Sequence, residues 1–144
     1  MDLLYTAPLV AANVAHPLLQ EIGNELDAEG RVFSFLCGHD SNVASVLAAL
    51  DVEEYELPDA IEVKTPIGCK LVFERWTNES GEEFGRVRLL YQSVDQLRAG
   101  TMLAGTESPM SVELSFDGLQ KNEDGMYAYD DLRARIANAV AEYD

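Results

Sequence analysis

Residues 31–50 read Arg31-Val-Phe-Ser-Phe-Leu-Cys-Gly-His-Asp-Ser-Asn-Val-Ala-Ser-Val-Leu-Ala-Ala-Leu50. From Arg31 to Cys37 the run is short, apolar and β-prone, the pattern of a strand buried on both faces of an α/β sheet. Gly38-His39-Asp40 ends it. Val43, Val46, Leu47 and Leu50 then fall at i, i+3, i+4 and i+7, which predicts an amphipathic helix with Asp40 or Ser41 as its N-cap. In open α/β sheets, ligands bind at the end of the strand that leads into such a helix.

Upstream, Thr6 is placed to cap a helix that has Pro8 in its first turn, runs on past Pro17 and closes near Gly23 or Asp27. Leu3 to Gln20 is uncharged, but only Met1-Asp2 precedes it, with no Lys or Arg, so it reads as a mature helix rather than a leader or a membrane span. Downstream, Asp51 to Thr65 is acidic and irregular, a surface excursion that could line a pocket. Lys70–Trp76 and Gly85–Gln92 flank Thr77-Asn78-Glu79-Ser80-Gly81 and should pair as an antiparallel hairpin, with Val87, Leu89 and Tyr91 on one face. Val112, Leu114 and Phe116 alternate with polar residues as a third strand. Leu132, Ile136, Val140 and Tyr143 stripe a last helix capped by Asp130. The expected fold class is α/β, a mixed sheet flanked by helices, with residues 1–144 as a single domain. A strand buried on both faces needs neighbours on each side, so this sheet reads as incomplete.

The 26 acidic residues outnumber the 10 basic ones, giving a formal charge of -16, so nucleic acid and anionic membrane are expected to be repelled. Cys37 and Cys69 are too few for a disulfide scaffold and lack metal-ligand spacing, so they read as two buried thiols. No metal site is expected. Asn122-Glu123-Asp124-Gly125 reads as a turn, Asn78-Glu79-Ser80 as a hairpin tip, and Glu53, Glu54, Glu56 and Asp59 as a solvated face.

The chemistry concentrates at His39, Asp40 and Ser41. A helix beginning at Ser41 turns free N–H groups and a positive dipole end outward, which suits a phosphate, and His39 can donate to phosphoryl oxygens. Asp40 could act as a general acid, because the charge of a bound phosphate favours a protonated carboxyl beside it. Taken as a dipeptide alone, Asp40 is only an N-cap and His39 a satisfied turn residue.

The longer stretch Phe33–Leu50, however, closely resembles the proton-donor segment of the histidine acid phosphatases, most of all the bacterial glucose-1-phosphatase type. The resemblance extends through Thr6–Leu19, Thr65–Trp76, Val87–Arg98, Val112–Ser115 and Asp124-Gly125. It implies the catalytic fold shared with the phosphoglycerate mutases, with His39 binding the phosphoryl group and Asp40 protonating the leaving group. The substrate would be a phosphate monoester such as a sugar phosphate, no cofactor is expected, and residence would be periplasmic.

The family's nucleophile is a histidine in an Arg-His-Gly-x-Arg-x-Pro motif, which this sequence lacks; its only histidines are His16 and His39. None of its arginines sits in a matching phosphate clamp. The disulfide that relatives often carry near the last strand is also missing, since those places read Asp117–Gln120 and Gly125–Ala128. The resemblance thus implies a C-terminal portion of the catalytic domain, holding the acid half of a site and inactive by itself. The alternatives are a non-catalytic phosphate-binding or interaction module, or one half of a split enzyme. In either case exposed sheet edges favour self-association or pairing with a missing N-terminal half.

Overall fold

The computed structural model describes residues 8–30, 32–61, 64–100 and 107–143. Its centre is the predicted hairpin, where β1 (Lys70–Thr77) and β2 (Glu83–Tyr91) pair antiparallel along their whole length, from Lys70 opposite Leu90 to Thr77 opposite Glu83. The turn closes through the Asn78 N–H donating to the Glu82 carbonyl at 2.9 Å, with Gly81 at a φ of 84° that favours glycine. On its other edge β2 pairs with β3 (Met110–Glu113) near one end and with β4 (Tyr127–Ala128) near the other. The observed pairing is antiparallel throughout, within the expected α/β class of a sheet flanked by helices.

Strand periodicity decides which face is covered. Val87, Leu89 and Tyr91 of β2 are buried, and Leu71 and Phe73 lie opposite them on β1. They meet the apolar stripes of α1 (Pro8–Asp27), α2 (Asp40–Ala49) and α4 (Tyr129–Tyr143). Leu19, Val46, Leu50, Leu132 and Ile136 form one core with Val87, Leu89, Leu114 and Phe116. Gly85 is required where α4 crosses β2, since a Cβ there would stand 2.6 Å from Leu132 Cδ2. Tyr127 joins the core while its hydroxyl accepts the Phe116 N–H at 2.9 Å, so a large buried residue leaves no orphan polar atom.

Charges lock the remaining joints. On the opposite face of the sheet, Glu74 accepts hydrogen bonds from Arg86, Arg88 and the Trp76 indole, and Arg86 reaches on to Glu113 at 3.2 Å. Burial pushes the Glu74 carboxyl up, but these donors outweigh it and hold the group below its ordinary range. At the end of α1, Asp27 accepts from the Tyr129 hydroxyl at 2.6 Å and from Arg133 Nε at 2.9 Å, tying α1 to α4. Burial, aided by that bond, pushes the Tyr129 hydroxyl up to about 12.

Several expectations are corrected. Residues 32–38 do not form a strand buried on both faces: Val32 is 100% exposed, Phe33 80% and Phe35 66%. A strand exists only by virtue of hydrogen-bonded neighbours, and among the described residues no main-chain bond joins this segment to another element. For the same reason Cys37 is exposed; Cys69, just before β1, is only partly buried, and neither is the buried thiol expected. The last helix begins at Tyr129, which puts Asp130 in its first turn rather than at the cap. The third strand itself spans only Met110–Glu113; beyond it the Leu114 N–H still donates to the Val87 carbonyl at 2.9 Å, and Phe116 makes a single bridge to Val52.

Other expectations stand. Helix α1 runs through Pro17 to Asp27, and Asn122–Gly125 forms a turn in which the Asn122 side chain accepts from the Asp124 and Met126 N–H groups. The Thr6 cap lies outside the described residues. Sequence reading missed the short helix α3 (Val94–Ala99), although a capping box, Ser93 with Gln96, and a left-handed Gly100 mark both its ends.

Candidate active site

The chain enters α2 through Gly38-His39-Asp40. The N-cap is His39, not Asp40 or Ser41: its carbonyl accepts the Asn42 and Val43 N–H groups at 3.0 and 3.2 Å, while its own N–H donates to Asn42 Oδ1 at 2.9 Å. Asp40 is thereby the first helical residue, and its Oδ1 accepts the N–H of Ser41 at 2.9 Å. The reason is local. The Asn42 amide satisfies the N-cap backbone, so the helix starts one residue earlier than a capping carboxylate would set it. His39 and Asp40 are exposed and Ser41 is half-buried, so the predicted residues are contiguous and accessible at one helix start.

His39 and Asp40, but not Ser41, line a large cleft of about 1610 Å³ that runs from Val32–Asp40 across to β1, with Leu18, Ile22 and Val46 among its lining. The lining also carries charged side chains, among them Glu25, Glu74, Arg75 and Glu83. His16, the other histidine, is half-buried in α1 and is not among the residues lining it.

Five of the arginines are occupied with structure. Arg75 pairs with Glu83, donates to the Leu26 carbonyl at 2.8 Å and stacks 4.3 Å from the Tyr129 ring centre. Arg86 and Arg88 hold Glu74, Arg133 holds Asp27, and Arg135 donates to the Leu50 and Asp117 carbonyls. None of these five contributes a phosphate clamp at His39. Among the described residues no group of three or more His, Cys, Asp or Glu could hold a metal ion, and no helix is long and apolar enough to cross a membrane.

Residues 4–92 match the histidine phosphatase superfamily (branch 2), more than half of the chain. The chain belongs to that superfamily. Within it, the glucose-1-phosphatase of Providencia rettgeri is 36% identical over 146 aligned residues, and that of Salmonella typhimurium 40% over 134. The alignments take in 98% and 90% of this chain but only 35% and 32% of those proteins, so the chain spans about a third of the curated relatives it matches. A solved superfamily structure, the phytase of Citrobacter braakii, superposes with a TM-score of 0.83 at 29% identity, covering 96% of this chain and 38% of that one. The α/β architecture expected from the sequence is therefore the superfamily's own.

Proposed function

We propose that this chain is the proton-donor portion of a phosphomonoesterase, in which His39 holds the phosphoryl group and Asp40 protonates the leaving alcohol. The observation that carries the reading is the start of α2: an exposed imidazole and an exposed carboxyl side chain on consecutive residues at a helix N-terminus, both lining one large cleft. A phosphate at the helix start would be held by the dipole, with the Asp40 carboxyl beside the ester oxygen that leaves. The superfamily's relatives named above suggest a sugar phosphate or another phosphate monoester as substrate, and periplasmic residence goes with the same reading.

The portion by itself should not turn over. No second histidine is among the cleft-lining residues, and five arginines are engaged with carboxylates and carbonyls of the fold, so charge developing on the phosphoryl oxygens would go unstabilised. Those same absences favour, as second reading, a module that binds phosphate without cleaving it.

The test grafts residues 1–144 in place of the matched stretch of the Providencia rettgeri glucose-1-phosphatase and compares Asp40 with Asp40→Asn. Loss of about 10²–10⁴-fold on glucose 1-phosphate, with a much smaller loss on nitrophenyl phosphate, is the expected outcome, because a good leaving group needs no acid. Equal loss on both substrates removes Asp40 from the acid role.

A further inference from the structure

The sequence singles out Ser41 beside His39 and Asp40, yet the side chain that joins those two at the cleft is Asn42. His39, Asp40 and Asn42 all line the cleft, and Ser41 does not.

Main-chain donors at this helix start are largely engaged. The Ser41 N–H goes to Asp40 Oδ1 at 2.9 Å, those of Asn42 and Val43 to the His39 carbonyl at 3.0 and 3.2 Å, and that of His39 to Asn42 Oδ1 at 2.9 Å. An oxyanion here therefore cannot be wrapped by a row of N–H groups and has to be met by side chains.

The Asn42 amide is oriented for that task. Its partner, the His39 N–H, is a donor, so chemistry assigns the amide oxygen to that side and turns the NH2 group the other way. Among the described residues no acceptor takes Nδ2, and the atom is not shut away from solvent. Helical side chains lean toward the N-terminus, which brings a residue in the first turn level with the cap. Gly38 makes the room: a Cβ there would stand 3.2 Å from Asn42 Oδ1, so a side chain at 38 would press on the amide that holds His39.

We propose that Asn42 is a substrate-binding residue, whose Oδ1 fixes His39 at the N-cap while its Nδ2 donates to a phosphoryl oxygen of the ester that His39 and Asp40 receive. This rests on the phosphomonoesterase reading. The amide is neutral, so it orients the phosphoryl group and does not supply the positive charge that the engaged arginines withhold.

The graft into the Providencia rettgeri glucose-1-phosphatase tests it with Asn42→Asp and Asn42→Ala. Aspartate keeps an acceptor for the His39 N–H and loses the donors; alanine loses both. Kinetics are read at pH 7 in about 0.5 M salt, which screens repulsion between the new carboxylate and phosphate. Asn42→Asp should raise both KM for glucose 1-phosphate and the inhibition constant of inorganic phosphate by about 10-fold, with kcat within about 3-fold and hydrogen exchange at the His39 amide unchanged. Asn42→Ala should show the same loss and faster exchange at His39. As the pH falls through the carboxyl range, near about 4, the aspartate variant regains an O–H donor and should approach the natural chain, while the alanine variant should not.

Unchanged phosphate inhibition in Asn42→Asp makes Asn42 a cap alone and overturns the proposal, as does a defect that appears at low salt and vanishes at high salt. A graft that turns nothing over with Asn42 in place defeats the phosphomonoesterase reading instead. The 144-residue chain is then titrated with inorganic phosphate and followed at the Asn42 side-chain NH2 by nitrogen-15 NMR. A shift of that resonance in step with those of His39 sustains the binding role, and no shift overturns it.

Discussion

The β1–β2 hairpin and residues 32–38 begin from similar sequence, short apolar β-prone runs next to a turn, and end in opposite states. In the hairpin, eight consecutive residue pairs face one another and the alternate side chains close onto α1 and α4. In 32–38 the same residue types lie in water, with Val32 wholly exposed. The lesson is that β-propensity describes fitness for a pleated, half-buried surface and supplies neither the surface nor the partner. The hairpin carries its partner about five residues away in sequence, whereas 32–38 has no main-chain partner among the described residues.

Breaking the paired region should have the largest effect. Leu132→Ala empties a wholly buried site between α4 and Gly85 and should cost about 2–5 kcal/mol in urea denaturation. A cost below about 1 kcal/mol would mean that α4 does not pack on the hairpin as described.

Glu74→Gln should cost less, about 1–3 kcal/mol, because it removes charge-assisted bonds from Arg86 and Arg88 at a site largely shielded from solvent. It also has a pH signature. The native carboxyl titrates below its ordinary range, so its contribution is full above the unfolded value of about 4.3 and is lost as the pH falls through the lower native value. The variant's stability should therefore fall less steeply below about pH 5 than that of the natural chain. Parallel acid limbs would show that Glu74 is not the group responsible.

Phe33→Ser should change the stability of the lone chain least, within about 0.5 kcal/mol, because Phe33 is 80% exposed. A large loss in the lone chain would show that the segment is packed after all, and the contrast between the two regions would disappear.

The sequence was legible wherever a contact is local or periodic. The hairpin register follows from two alternating runs around a short glycine-containing turn, and the helix stripes at Val43, Val46 and Leu50 and at Leu132 and Ile136 follow from the 3.6-residue period. The short helix α3 was legible too, in Ser93, Gln96 and Gly100, and went unread because six residues present no periodicity. At the candidate site, the residues His39, Asp40 and Ser41 could be picked out by their chain position, but the cap assignment could not. Three neighbouring residues, Asp40, Ser41 and Asn42, can each cap, and only the backbone geometry shows that the Asn42 side chain satisfies His39.

By itself, then, the sequence determined the α/β class, the hairpin, the apolar stripes and the superfamily resemblance, all properties of residue type and spacing. The tertiary structure alone decided that five arginines are tied into ion pairs and carbonyl bonds, since the partners of Arg133 and Arg135 lie far along the chain. It alone decided that the apolar run before His39 is unpaired among the described residues. A strand is a cooperative object whose hydrogen bonds belong half to its neighbours, so its sequence specifies a readiness to pair, and the fold specifies whether anything is there to pair with.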